Sequence, residues 1–180
     1  GVTVFLVASV FHDRLLAWNV LNFERVATLS APVIEELLKA LLIVLLASRL
    51  GLAYAVDGTA YGFAIGTGFG MAENLDYVIS NPDRALPIAL SRVLSVSLMH
   101  AYTTGLVGTA AGSSLFLTRR AQLLRVGVSV AVAMFLHAAF NRLVLNLEGL
   151  PALVAALFIG LSGTGVIVLH ADAVQAWVFA

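Results

Sequence analysis

Apolar residues run together along most of this chain, and short polar stretches punctuate them. The runs fall at 26–48, 57–80, 86–117, 122–147 and 150–170. Each has the ~20 residues that an α-helix needs to cross ~30 Å of hydrocarbon. Arg49-Leu50-Gly51, Asn81-Pro82-Asp83-Arg84, Arg119-Arg120 and Glu148-Gly149-Leu150-Pro151 divide the runs with residues that stop and start helices. The run at 86–117 exceeds one span and is expected to tilt or to extend beyond the bilayer. The opening run at 2–11 is too short to span alone, which together with Gly1 in place of Met is consistent with N-terminal truncation. At 12–25, Leu15, Leu16, Trp18, Leu21 and Phe23 alternate with Asp13, Arg14, Asn19, Asn22, Glu24 and Arg25. That mixture suits either a helix lying in the interface, with Trp18 at headgroup level, or an ordinary polar loop. The pattern predicts an all-α fold, a polytopic transmembrane bundle of five to seven helices plus the interfacial helix. Residues 1–180 are expected to form a single membrane-embedded domain.

Composition sharpens this picture. Hydrophobic residues make up 61% of the 180 and charged residues 11%, with a mean hydropathy of +0.99. A soluble domain carries about 25% charged residues. Ten basic and ten acidic residues cancel, so no net field points to nucleic acid. Cysteine is absent, which excludes disulfides, thiolate catalysis and thiolate-held metal. Orientation is undetermined by charge, because Arg14, Arg25, Arg84 and Arg142 on one side balance Arg49, Arg119, Arg120 and Arg125 on the other. Gly58, Gly62, Gly66 and Gly70 recur every fourth residue and line one helix face, and Gly105, Gly108 and Gly112 do the same on the next helix. Small residues at this spacing let helix backbones approach closely in lipid.

Against that background, a few ionisable residues inside the apolar runs stand out. Glu35 and Glu36 lie mid-run, and Glu73, His100 and His137 with Asn141 lie in three further runs. A charge at such depth costs a few kcal/mol or more. With alternating crossings, Glu36, Glu73, His100 and His137 all fall in a layer roughly 10–20 Å below one membrane face, at 1.5 Å per residue. Four such groups at one level predict one site. Glu35 and Lys39 are four apart and expected to pair, leaving Glu36 to face the bundle interior. Glu73 with Tyr77, and His137 with Asn141, share faces by the same spacing.

This set supports hydrolytic chemistry. Glu36 or Glu35 beside His100 can deprotonate water, with Glu36 the expected base, and His137 with Asn141 can donate to an oxyanion. Alternatively, the two histidines and a glutamate form a zinc-binding set with one position left for water. HExxH is absent, Gly112-Ser113-Ser114 and Ser162-Gly163 form no GxSG serine site, and no aspartates pair at matching depth. Asp57 reads as a helix N-cap, and Asp76 lies near a helix end. His12 and His170 fall at run ends and read as structurally neutral. Asp172, Gln175 and Trp177 read as an interfacial C-terminus.

The motifs also carry a resemblance. Glu35-Glu36-Leu37-Leu38-Lys39 reads as EExxK, Gly70-Met71-Ala72-Glu73-Asn74-Leu75-Asp76-Tyr77 as GxxENxxY, and His137 to Asn141 as HxxxN, with His100 between. This order resembles the PrsW family of intramembrane proteases and is distantly similar to the CAAX-protease and bacteriocin-processing (CPBP) group. The resemblance spans about residues 26–147. It implies a hydrolase of the intramembrane endopeptidase type, multi-pass in a prokaryotic cytoplasmic membrane. Its partners are then the lipid bilayer and a membrane-associated protein substrate, anti-sigma-factor-like or CAAX-like. It implies a glutamate-activated water, with Glu35, Glu36, Glu73, His100, His137 and Asn141 as catalytic residues supported by Lys39, Asn74 and Tyr77. No cofactor is the first expectation; zinc on Glu73, His100 and His137 is the metalloprotease alternative. Two other classes compete. One is a proton-coupled transporter or channel using the same layer as a relay, although no inverted repeat is visible. The other is an inactive scaffold that binds membrane partners through its glycine faces.

Overall fold

A computed structural model describes residues 1–50, 54–113, 117–146 and 154. Apart from Val154, the apolar run at 150–170 lies outside the described residues, as do the break at 148–151, Ser114, Ser162, Gly163, His170, Asp172, Gln175 and Trp177. Every regular element among the described residues is helical, as the apolar pattern predicts. The order is α1 (Val2–Ala17), the single turn α2 (Phe23–Arg25), a π turn (Val26–Ser30), α3 (Ala31–Leu50), α4 (Ala55–Ser80), a 3-10 turn (Pro82–Arg84), α5 (Ala85–Gly112) and α6 (Arg119–Asn146). Among the described residues, α6 is long and apolar enough to cross a membrane.

Two boundaries differ from expectation. The opening run does not stop at residue 11. Nothing at 12–17 breaks a helix, so α1 continues to Ala17 and absorbs half of the expected interfacial segment. It ends in a Schellman motif, with Asn19 at φ 52, Asn19 N–H donating to Leu16 O and Val20 N–H to Leu15 O, both at 3.0 Å. The long run at 86–117 ends as a helix at Gly112. Asp57 is not the N-cap of α4, which is Tyr54; it stands at the third helical position, where its Oδ2 accepts from Tyr54 N–H at 3.1 Å as the carboxylate of a capping box.

The glycine stripe packs α4 onto α5. A methyl group on Gly58 would meet Gly108 and Gly112, on Gly62 the backbone of Thr104 and Gly105, and on Gly66 the His100 carbonyl. These are backbone atoms that cannot swing aside, so only glycine permits this approach. In lipid such contacts stabilise by close packing and not by expelling water. α6 then packs on α5 and α3, while α1 packs on α3 and α4. Ala40, Ile43, Ile65, Val107, Val130 and Ala133 form one apolar cluster, and Val96, Met99 and Phe140 form another. Between them lies a buried polar layer that includes Glu36, Lys39, His100, Thr103 and His137. Outward faces are apolar instead, with Leu41, Leu45, Leu75, Ile79, Leu124 and Phe135 all exposed.

Candidate active site

Four helices bring the sequence-predicted groups together, and hydrogen bonds join most of them into one chain. Glu36 Oε1 accepts from Lys39 Nζ at 2.6 Å, His137 Nδ1 at 2.9 Å and Thr103 Oγ1 at 3.2 Å. Lys39 Nζ also lies 2.9 Å from His100 Nδ1 and 4.5 Å from the centre of the Phe69 ring. An ammonium group only donates, so His100 Nδ1 must accept and its proton sits on Nε2. From there it donates to Glu73 Oε2 at 3.1 Å, which also pairs with Arg92 Nη2 at 3.2 Å. The guanidinium of Arg92 stacks 3.6 Å over the Tyr77 ring, and Asn74 donates to Ser97 Oγ at 3.1 Å and to Arg92 O at 3.3 Å. The supporting residues on α4 thus tie it to α5 beside Glu73.

The pairing on α3 reverses the expectation. Lys39 takes Glu36, three residues away, rather than Glu35, four away. Both spacings share a helix face, and the rotation of α3 decides between them. Glu35 is left on the cavity side. Its Oε2 has no hydrogen-bond partner among the described residues and lies 3.9 Å from His137 Nε2. Glu35 Oε1 lies 3.9 Å from His12 Nδ1. His137 is well arranged for this contact. Its Nδ1 faces the Glu36 carboxylate and must carry the proton there, so the Nε2 lone pair is free.

A cavity of about 270 Å³ opens onto this end of the cluster. Glu35, Glu73 and Asn141 line it, with His12, Tyr77 and Arg92 beside them. Apolar walls from Leu16, Phe23, Val26, Val96, Phe140 and Val144 complete it. Asn141 projects to the same cavity but donates its amide to Ala27 O at 2.8 Å. Sequence reasoning missed His12, Arg92 and Thr103. Arg92 and Thr103 carried a usable signal: they stand eight before and three after His100, on its own helix face. His12 carried none, since its position depends on how α1 crosses α3.

Glu35, His100 and His137 offer ligand atoms that all lie within 4.8 Å of one another, so a single cation can be shared among them. The carboxylate in that group is Glu35, while Glu73 is engaged by His100 and Arg92. Two donors present free lone pairs, the Glu35 Oε2 and the His137 Nε2. His100 can join them through Nε2 only in the tautomer with its proton on Nδ1, which requires its hydrogen bond with the Lys39 ammonium to break. With Glu35, Glu36 and Glu73 ionised against Lys39 and Arg92, the cluster carries one excess negative charge. A bound cation or one proton neutralises it, so the donor set fits a metal.

A buried carboxylate–histidine centre, reached by a cavity between apolar-faced helices, is an arrangement that a membrane-embedded hydrolase can use. The family described as "PrsW family intramembrane metalloprotease" matches residues 1–170, and the chain belongs to that family. The protein is therefore a membrane protease. No curated protein and no solved structure matches the chain.

Proposed function

We propose that this protein is an intramembrane endopeptidase in which Glu35, with His137, activates the attacking water. The observation that carries the reading is the unpartnered Oε2 of Glu35 at the cavity wall, 3.9 Å from a free imidazole lone pair. Glu73 also reaches the cavity but is already held by Arg92 and His100. In the reaction, Glu35 takes a proton from water and the water oxygen bonds to the carbonyl carbon. The C–N bond then breaks, and the proton passes from Glu35 to the leaving amine. Glu36 fixes His137 in the tautomer this needs, and Lys39 holds Glu36 in place.

The outward apolar faces of α3, α4 and α6 around a polar layer support a multi-pass bundle acting as one domain over residues 1–180. A prokaryotic cytoplasmic membrane, a distant likeness to the CPBP group and an anti-sigma-factor-like or CAAX-like substrate extend the same reading. The test uses detergent-solubilised protein and a membrane-protein reporter. Glu35→Gln should abolish cleavage with the fold retained; retained cleavage sinks the assignment. A proteoliposome flux assay separates this reading from a proton-coupled transporter.

A second reading rests on the donor set and the family description. Glu35, His100 and His137 would hold one divalent ion, which when bound supplies a polarised carbonyl and a more acidic water. Glu35 is then a ligand, and Glu73 is the cavity-lining carboxylate left to hold the water's proton. Elemental analysis decides between the two: full activity with no bound metal removes the second reading. Metal lost in both Glu35→Gln and His137→Ala, together with activity lost to a chelator and restored by zinc, removes the first.

A further inference from the structure

The π turn that precedes α3 leaves a carbonyl without a backbone donor, and the cause is local. Ala31 N–H donates to Val26 O, five residues back. In an α-helix that donor would have served Ala27 O. In the π register the donor for Ala27 O would be residue 32, but Pro32 has no N–H. Ala27 O is therefore orphaned in the π register that the chain adopts. A fully buried carbonyl without a donor costs about 1–3 kcal/mol, and Ala27, half-buried at the cavity wall, is stabilised by a donor from elsewhere to a lesser degree. Asn141 Nδ2 supplies it at 2.8 Å from α6, across 114 residues of sequence.

This bond affects where Glu35 points. A π turn inserts one residue, so relaxing it to α geometry rotates everything downstream by about 100° relative to what precedes. Glu35 and Glu36 are adjacent and differ by that same angle around α3. The register of the turn thus helps decide which carboxylate meets the cavity and which meets Lys39. α6 is tied to this segment at two points one turn apart, His137 to Glu36 and Asn141 to Ala27.

We propose that Asn141 is a positioning residue that locks the π turn before Pro32 and so holds Glu35 in the cavity, instead of donating to the reaction's oxyanion. The proposal rests on Glu35 being the reacting carboxylate. The full chain is assayed in proteoliposomes with the membrane-protein reporter. Asn141→Ala should lower kcat on the order of 100-fold, the usual cost of an ångström-scale misplacement, with KM within about threefold. Pro32→Ala, which restores an N–H at position 32, should leave kcat near the starting value. The double variant should recover at least about tenfold over Asn141→Ala, because the new N–H can serve Ala27 O in the π register.

An oxyanion donor would behave differently, since no backbone N–H at position 32 can replace it. A large kcat loss in Asn141→Ala that Pro32→Ala does not relieve overturns the proposal. So does an Asn141→Ala enzyme with unchanged kcat. Asn141→Leu, which keeps the volume without the donor, replaces the alanine variant if that one does not fold. Glu35→Gln runs alongside. Activity retained there removes the function proposed above, whereas Glu35-dependent cleavage without rescue removes only the role given to Asn141.

Discussion

Replacing Lys39 with methionine tests whether the site is held together by charge. Both Lys39 and Glu36 side chains are 0% exposed, and their contact is 2.6 Å. Exposure decides the scale. An ion pair on a wet surface contributes about 0–1 kcal/mol, whereas removing one partner of a buried pair costs about 3–5 kcal/mol. Methionine keeps the volume of the stem and its contact with Phe69, so the loss is mainly electrostatic. Glu36 Oε1 would retain only His137 and Thr103 as donors, and His100 Nδ1 would lose its own. Lys39→Met is therefore expected to destabilise by about 3–5 kcal/mol, and Glu36→Gln alone by a similar amount, because it strands the ammonium. The double variant carries no unpaired charge and should cost at least about 2 kcal/mol less than the sum of the singles. Reversible unfolding in mixed micelles, followed by helical circular dichroism during a detergent titration, measures all three. A Lys39→Met cost below about 1 kcal/mol would falsify the buried-pair argument, and so would strict additivity.

Other expectations follow from packing and from the cavity. Gly66→Ala should destabilise by about 1–3 kcal/mol and reduce cleavage, since the new methyl meets the His100 carbonyl. Gly127→Ala, with nothing within 4 Å of the added methyl, should stabilise by about 0.5–1 kcal/mol through helix propensity; the reverse order in thermal unfolding refutes the packing account. His12→Ala should lower kcat/KM on the order of tenfold or more, because His12 lies 3.9 Å from Glu35 and lines the cavity. Kinetics unchanged from the starting protein would remove His12 from the site.

The order of helices was legible in the order of apolar runs, because each run is bounded by residues that stop and start helices. Depth counting also placed Glu36, Glu73, His100 and His137 in one layer, where the structure has Glu36 bonded to His137 and Glu73 to His100. Rotation about each helix axis was not legible. Lys39 stands three residues from Glu36 and four from Glu35, and spacing alone treats those choices alike. The choice depends on a π turn in which Pro32 leaves Ala27 O without a backbone donor, completed by an amide more than a hundred residues away. Residues contributed from outside the motifs were hidden for a related reason. His12 reaches Glu35 only because α1 runs past the expected end of its run and packs on α3.

The way the charges are paired also bears on how such a chain can be made. Glu36 and Lys39 are partners within a single turn of α3, so that helix carries its own counter-ion from the moment it forms. Glu73 of α4 meets Arg92 at the near end of α5, the next helix to be synthesised, joined to it by one short 3-10 turn. Among the groups bonded to Glu36 and Glu73, only His137, which is neutral when it donates through Nδ1 alone, comes from the last described helix. Within the site, Glu36 and Glu73 therefore find their cations locally or in the adjacent hairpin, and Glu35 does not. The site's helices can form one after another with little unmatched charge waiting for a distant segment. The exception, Glu35, is the carboxylate that the finished fold leaves facing the cavity.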